Sequence, residues 1–136
     1  MTPLFVVRLP MPPSTNNAYV NLRRGRALSS EAKRWKETAY ILCLAALKGR
    51  RTISEPDKLL AILTFEAPDW ECKNGRHRKV DLDGKLKLPI DAVAEACLEG
   101  EDERIYQITS RKVRAPASAC VVELWPMPES VIVSVQ

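Results

Sequence analysis

The chain has 136 residues, of which 46% are apolar and 28% charged, and a net charge of +4. These values are typical of one globular domain and argue against a disordered chain. No apolar run approaches the roughly 20 residues that span a bilayer, and the first residues lack a basic leader followed by a long apolar stretch. We therefore expect a cytoplasmic protein that does not enter a membrane.

The first half of the sequence predicts a strand, an irregular segment and a helix. Residues 4–9 are rich in β-formers and end at a proline. The prolines and polar residues that follow, up to Asn17, exclude regular structure because proline fixes φ and removes a hydrogen-bond donor. Ser29 or Ser30 can cap a helix over 31–48, where apolar residues recur every three or four positions.

The second half predicts a strand at 58–66, a polar loop at 69–79, a helix from 85 or 86 to 98, and strands at 104–113 and 118–125. Pro89 fits the helix only within its first turn, where backbone N–H groups have no partner inside the helix. Residues 126–136 are either a short added strand or a docking segment. We predict an α/β fold of the α+β two-layer kind: one domain at 1–125, with a mixed sheet of about four strands and two main helices packed on it.

Charge is unevenly distributed along the chain. Residues 1–51 carry ten Lys or Arg and two Asp or Glu, a net charge of +8, and residues 73–87 carry six and two, a net charge of +4. Arginines around Gly25 predict that 21–28 is an exposed basic loop or hairpin tip. A solvated surface explains any single charge run, but this segregation favours a surface that binds a polyanion.

The cysteines and the histidine argue against several kinds of site. The four cysteines, at 43, 72, 97 and 120, form no C-x-x-C pair, and we expect them to be small buried apolar residues. Zinc ligands would need closer spacing. Nucleophilic catalysis with a histidine base could use only His77, which lies in the basic loop.

Asp81 and Asp83 form the motif that indicates metal chemistry. Two carboxylates two residues apart in an extended chain point to the same face and repel each other, and a divalent cation relieves that repulsion. Magnesium prefers such hard oxygen ligands, with water and phosphate completing its shell. With lysines after the pair and a basic loop before it, the sequence suits metal-assisted phosphodiester hydrolysis.

An acidic turn at 99–103 follows the predicted second helix, which would be roughly 20 Å long. The turn reaches the Asp81–Asp83 pair of its own chain only if residues 101–103 fold back along the helix. Otherwise the pair comes from a partner chain. The sequence leaves both arrangements open.

Three segments, in this order, resemble the RusA family of Holliday junction resolvases. They are Leu9–Asn17 with its Pro-Pro-Ser core, Ser29–Ala32, and Asp81–Lys87 followed by Asp91-Ala92. The resemblance runs from about residue 4 to 125. It implies a phage-associated, homodimeric endonuclease of mixed α/β fold that acts on four-way DNA in recombination and repair. Such an enzyme needs Mg²⁺ or Mn²⁺, and neither a nucleotide cofactor nor a membrane.

The resemblance assigns catalysis to four residues: Asp81, Asp83, Asp102 and Lys87. The three aspartates would bind the metal ion, and the lysine would lie beside the scissile phosphate. Asp91 matches a further family aspartate with a capping or structural role, and Glu101 replaces Asp102 if the alignment drifts by one residue.

We expect the DNA backbone to contact polar and basic side chains in three segments of the chain. These DNA-binding residues are Asn16, Asn17, Arg23, Arg24, Arg26, Lys73, Arg76, Arg78 and Lys79.

Gly84 departs from the family pattern, which commonly has asparagine directly after the second aspartate. Loss of that side-chain amide weakens the organisation of the site. The alternative to a junction-resolving endonuclease is therefore a catalytically weak or inactive branched-DNA-binding protein of the same fold.

A third interpretation is an α/β interaction domain with ordinary acidic turns. Only the nuclease loses an activity when a chelator removes its metal ion.

Junction affinity should fall steeply as salt concentration rises, because the basic segments would bind mainly phosphates. Each neutralised phosphate adds about −0.9 to the slope of log affinity against log salt on duplex DNA. Titration of a labelled four-way junction at several salt concentrations measures this slope. Affinity that stays constant over a fourfold range of salt would contradict the polyanion-binding surface.

Overall fold

The computed structural model of the chain describes residues 2–14, 18–22, 25–71, 75 and 82–128. Its elements, in chain order, are β1 (Phe5–Leu9), β2 (Tyr19–Leu22), β3 (Gly25–Leu28), α1 (Ser30–Ala46), β4 (Leu59–Ala67), α2 (Asp83–Cys97), a 3-10 helix (Asp102–Arg104), β5 (Ile105–Arg114) and β6 (Ala119–Pro126). The two predicted helices and four predicted strands are confirmed, and the described parts of the segment 21–28 pair as two antiparallel strands, β2 and β3.

The four long strands form one mixed sheet in the order β1-β6-β4-β5. β6 runs antiparallel to both of its neighbours, whereas β4 and β5 are parallel. A parallel pair needs a crossover connection, and α2 lies in that connection. Because β1, β4 and β5 all run in the same direction, their carboxyl ends lie at the same edge of the sheet.

One face of the sheet and the two helices enclose a single hydrophobic core. In β1 the first, third and fifth residues are buried and the two between them exposed, which is the alternation of a sheet covered on one face. Trp35 and Ala39 of α1 and Leu88 and Val93 of α2 join the same buried cluster. The predicted two-layer α+β fold is therefore confirmed.

α1 begins directly after Ser29, one of the two serines predicted to cap it. Ser29 is the N-cap, and its hydroxyl accepts a hydrogen bond from the Ala32 N–H at 3.2 Å. The helix ends before Lys48 and Gly49, which adopt φ values of 53° and 86°. This left-handed geometry stops a helix and is most easily adopted by glycine.

α2 begins earlier than expected, and Pro89 lies in its interior. The expected start at 85 or 86, with Pro89 in the first turn, is wrong: the helix starts at Asp83, so Pro89 is its seventh residue. An aspartate in the first turn is favoured by the positive end of the helix dipole. Pro89 cannot donate to the carbonyl four residues earlier, but its ring is buried in the core.

Three of the four cysteines lie in the core, as expected. Cys43, Cys97 and Cys120 are buried and form no disulfide, while Cys72 lies outside the described residues. A hydrogen bond to Cys43 across the α1–α2 contact, together with burial, raises the pKa of Cys97. Since the thiolate is the reactive form, burial of this kind is typical of structural cysteines.

Arg104 is a charged side chain inside the protein, only 8% exposed. Its guanidinium donates to the carbonyl oxygens of Ile53 at 2.7 Å, Pro56 at 2.9 Å and Asp57 at 3.1 Å. All three acceptors belong to the loop before β4. One side chain therefore fixes that loop to the start of β5, and its own burial is tolerated because each of its three guanidinium nitrogens donates a hydrogen bond.

The chain continues its pairing slightly beyond β6. The Met127 N–H donates to the Lys58 carbonyl at 3.1 Å, next to the β6–β4 ladder. The two alternatives for the tail, a strand or a docking segment, fall mainly on 129–136, outside the described residues. Within the described ranges, no helix combines the length and hydropathy needed to cross a bilayer.

Replacing Arg104 by Met should lower the free energy of unfolding by about 3 kcal/mol, because three carbonyl oxygens, including that of buried Ile53, lose their donor while the aliphatic volume is kept. Chemical denaturation measures the change. Arg34→Met, at an exposed position on α1, is the matched control and should change stability little. Equal stability of the two variants would show that the Arg104 hydrogen bonds do not hold the loop.

Candidate active site

The topology gathers several candidate segments at one end of the sheet. Residues 10–14 follow β1, the loop before α2 follows β4, and Arg114 ends β5. The carboxyl ends of these three strands lie at the same edge. The first turn of α2 lies at that edge as well, because Lys85 donates a hydrogen bond to the carbonyl oxygen of Pro12 in the proline-rich segment.

The proline-rich segment (Pro10–Ser14) is held through its carbonyl groups. Trp35 Nε1 donates to the Pro10 oxygen at 3.0 Å, and Lys85 Nζ donates to the Pro12 oxygen at 2.9 Å. Prolines offer no N–H to a strand ladder, so donors from side chains fix this part of the backbone. α1 and α2 each contribute one of those donors.

Lys85 is a structural lysine that the sequence interpretation did not single out. It precedes Leu88 and Pro89 by three and four residues and therefore lies on the buried side of α2. Burial lowers the pKa of the Lys85 ammonium, while Cys120 and Glu31 oppose this shift. The helical spacing could have indicated this role. A lysine on the same helix face as buried apolar residues needs a polar partner for its ammonium.

The opposite side of α2 carries a polar row that we call the exposed row: Asp83, Lys87, Asp91 and Glu95. Its members follow one another every four residues and so share one helix face. Lys87 Nζ lies 3.4 Å from an Asp91 carboxylate oxygen, and Glu95 pairs with Lys36 of α1 at 3.0 Å. Two of the predicted catalytic residues, Asp83 and Lys87, are thus one turn apart.

The extended geometry expected around Asp83 is wrong. Leu82 has φ −60° and ψ −39°, and Asp83 is the first residue of α2, so the chain here is helical. The same-face argument for two carboxylates in an extended chain does not apply at Asp83. Asp81 lies outside the described residues.

The acidic turn folds back against α2. Glu99 and Gly100 adopt positive φ values of 56° and 80°, and the Gly100 N–H donates to the Ala94 carbonyl at 2.8 Å. This left-handed reversal ends the helix and redirects the chain toward β5. The turn approaches α2 beside Asp91 and Glu95, about two turns away from Asp83, so the described residues do not bring it to the predicted pair.

Asp102 and Glu101 lie in different clefts. Asp102 lines a cleft of about 100 Å³ together with Asp91 and Glu95 of the exposed row. Glu101 lines a separate cleft that includes Asp57. Asp102 is therefore the member of the acidic turn that approaches the exposed row.

Lys87 interacts with charged or titratable groups on three elements. Asp91 is the main cause that raises the pKa of the Lys87 ammonium, and Tyr19 of β2 and Asp102 raise it further. The Lys87 side chain is 58% exposed. It remains protonated at neutral pH and is accessible to an anion from solvent.

A metal site cannot be assembled from the described residues alone. Those residues, which do not include Asp81, contain no group of three His, Cys, Asp or Glu side chains that could hold a metal ion. Asp91, which shares a cleft with Asp102, lies about 12 Å from Asp83 along the helix axis. Asp83 and Asp102, the two predicted metal ligands among the described residues, thus lie beside different turns of α2.

Of the predicted DNA-binding residues, Arg26 lies in the described part of the chain. Its guanidinium carbon lies 4.9 Å from the centre of the Tyr19 ring, on the hairpin close to Lys87. The other predicted DNA-binding residues fall outside the described ranges: Asn16, Asn17, Arg23, Arg24, Lys73, Arg76, Arg78 and Lys79.

The structure adds a basic group that the sequence interpretation missed. Arg111, Lys112 and Arg114 are exposed near the end of the edge strand β5. The Lys112 ammonium lies 5.3 Å from the centre of the Trp70 ring, and Trp70 Nε1 donates to the Val113 carbonyl at 3.0 Å. We call Arg111, Lys112 and Arg114 the β5 basic group. It lies at the same end of the sheet as the start of α2.

Comparison with protein-family models finds no match for this chain, and no curated protein matches it either. The resemblance to the RusA family therefore rests on the three sequence segments Leu9–Asn17, Ser29–Ala32 and Asp81–Lys87.

Asp91→Asn should lower the pKa of Lys87 toward its usual value, because the main source of the upward shift is removed. Titration of the lysine side-chain carbons by NMR measures the change. Glu95→Gln is the matched control, since Glu95 pairs with Lys36 instead, and it should leave the titration of Lys87 nearly unchanged. An unchanged Lys87 titration in Asp91→Asn would contradict the ion pair.

Proposed function

We propose that this protein is a metal-dependent, structure-selective endonuclease that resolves four-way DNA junctions. The observation that carries the proposal is the surroundings of Lys87. An exposed lysine lies beside Asp91, within electrostatic range of Asp102 and next to a basic hairpin, at the end of the sheet where basic side chains collect. Such a combination could bind a phosphodiester between a metal ion and a lysine, both of which stabilise its negative charge.

The type of the donor atoms, but not the spacing of the described carboxylates, suits a hard divalent cation. Asp83 and Asp102 offer carboxylate oxygens, which Mg²⁺ and Mn²⁺ prefer, and Asp81 would complete the set. When bound, the ion would supply activation of water and stabilisation of the negative charge that develops on the phosphate. Asp83, Asp102 and Asp81 are the residues that would hold it, which requires Asp102 to come closer to the start of α2 than its cleft with Asp91 and Glu95 places it.

Lys87 would neutralise the phosphate at the cleavage site. Its ammonium is protonated at neutral pH, because Asp91 and the neighbouring groups favour the charged form. Asp91, at i+4 on the same helix, orients the lysine without covering it. In this proposal Asp91 is a positioning residue and not a metal ligand.

The DNA arms would lie across the basic end of the molecule. Arg26 lies over Tyr19 on the hairpin near Lys87, and the β5 basic group lies at the carboxyl end of β5. Phosphate contacts of this kind orient a duplex without reading its sequence. Resolution of a junction requires two cuts. We therefore propose a homodimer with two sites, and two-fold dimers are the commonest oligomers.

Gly84 favours a second candidate function, a branched-DNA-binding protein that cleaves weakly or not at all. It is the second residue of α2, directly after Asp83, and it brings no side-chain amide to the site. Under this alternative the protein binds a four-way junction in a salt-dependent way, and adding Mg²⁺ produces no cleavage. Binding and cleavage measured on the same junction separate the two candidates.

Asp83→Asn and Asp102→Asn should each lower junction cleavage by about 100-fold or more, because each removes a proposed ligand charge. Lys87→Ala should lower the rate without preventing metal binding. Junction affinity should be kept or increased in the two aspartate variants, since an anion facing phosphates is neutralised. Cleavage and binding assays in Mg²⁺, run side by side with thermal melts, measure these effects.

Glu101→Gln is the control, since it removes the same charge from the same turn on the side that lines the other cleft. It should cleave at the wild-type rate. The nuclease proposal fails if Asp102→Asn also cleaves at that rate while folded, or if chelation of the metal ion leaves cleavage intact.

A further inference from the structure

An apolar cleft of about 410 Å³ lies on the face of the sheet opposite to the two helices. It is lined by Leu60 and Ile62 of β4 and by Trp125–Pro128 at the end of β6. Leu60 and Ile62 alternate along β4 with residues buried in the core, so they point to the other face of the sheet. We call that face the outer face and this cleft the outer cleft.

The outer cleft offers mainly apolar surface to an occupant. Trp125 is the ladder partner of Leu60 and lies on the same face. Its Nε1 already donates to a Glu123 carboxylate oxygen at 3.2 Å, so the indole presents its apolar ring. Leu60, Ile62 and Trp125 all remain partly exposed. An open apolar hollow of this size is typical of a docking site.

A polar atom beside the outer cleft lacks a donor. Gln107 of β5 is the ladder partner of Leu60 and therefore also lies on the outer face. Its side-chain oxygen is buried, and no donor within the described ranges forms a hydrogen bond with it. An unsatisfied buried acceptor is costly, so an N–H or hydroxyl from a further segment would be favourable there.

Residues 129–136 have the sequence that suits this cleft. They follow Pro128 directly and carry valine at 131, 133 and 135 and serine at 130 and 134. In an extended segment the three valines share one face, because successive side chains alternate. β-branched side chains pack well on a pleated sheet, and the backbone N–H groups and serine hydroxyls supply donors.

The position where the segment begins favours docking on its own chain. Met127 and Pro128 line the cleft themselves, and the Met127 N–H donates to the Lys58 carbonyl at 3.1 Å. Val131 comes three residues after Pro128 and is therefore within about 10 Å of it. So short a tether gives an effective concentration in the millimolar range, which a second copy or another peptide would have to exceed.

We propose that residues 129–136 fold back over the outer face of their own chain and place the valine side of the segment in the outer cleft. The cleft lies beside the amino end of β4, whereas the candidate active site lies at the carboxyl ends of β1, β4 and β5. The inference therefore goes beyond the proposed nuclease and does not rest on it.

Paramagnetic broadening of NMR signals in the full chain tests where the segment lies. A nitroxide is attached to Ile132→Cys, on the side expected to face solvent, in a Cys72→Ser background that leaves the three buried cysteines. The amide signals of Leu60 and Ile62 should lose most of their intensity. The amide signal of Tyr40, on the exposed side of α1 across the core, should keep it.

A mixture distinguishes the chain's own segment from that of a second copy. Spin-labelled chains without ¹⁵N are added to ¹⁵N-labelled chains that carry no nitroxide, and the signals of Leu60 and Ile62 should then stay sharp. Broadening in this mixture equal to that in the directly labelled chain would assign the cleft to a second copy and overturn the proposal.

Two neighbouring substitutions test the valine side independently of the label. Val133→Ser should lower the denaturant concentration at the midpoint of unfolding, because apolar burial is lost. Ile132→Ser is the matched control and should shift the midpoint less, although it removes the larger side chain, since Ile132 would point away from the cleft.

Sharp Leu60 and Ile62 signals in the directly labelled chain would overturn the proposal, and so would an Ile132→Ser shift as large as that of Val133→Ser. None of these measurements needs cleavage activity. Junction cleavage assayed on Val133→Ser and wild type should be the same, so a chain that docks its segment but cleaves nothing contradicts the nuclease alone.

Discussion

The hydrogen bonds of Arg104 are the interaction on which the geometry of the candidate site depends. A guanidinium that is 8% exposed must find acceptors, and it finds three carbonyls in the loop before β4. Arg104 is also the last residue of the 3-10 helix that begins at Asp102. The carboxylate beside the exposed row is thus placed by a buried cation two residues later, and the amino ends of β4 and β5 are fixed to each other by the same contact.

A similar constraint acts on the other side of the site, where two lysines of α2 have opposite environments. Lys85 and Lys87 are two residues apart, which places them on nearly opposite sides of a helix. Lys85 lies on the buried side and donates a hydrogen bond to the Pro12 carbonyl, whereas Lys87 is exposed to solvent beside Asp91. The first lysine builds the site by fixing the proline-rich segment, and only the second is available to a ligand.

Local patterns predicted the fold well, and long-range geometry limited what they could say of the site. The cap at Ser29 and the apolar spacing of α1 are properties of neighbouring residues, so they could be read from the sequence. The choice between Asp102 and Glu101 depends on the left-handed reversal at Gly100, which no spacing rule fixes. The β5 basic group was not predicted because residues 88–136 carry a net charge of −4. The net charge of a whole segment does not reveal a small basic cluster at the end of one strand.

The two helices present different surfaces to solvent. Both bury one side in the same core, and the Lys36–Glu95 ion pair joins α1 to the exposed row of α2. The outward side of α1 is apolar at its centre, where Ile41 and Leu44 lie, while the outward side of α2 is charged. Water favours the second surface and disfavours the first, so the proposed chemistry uses the side of α2 that solvent already reaches.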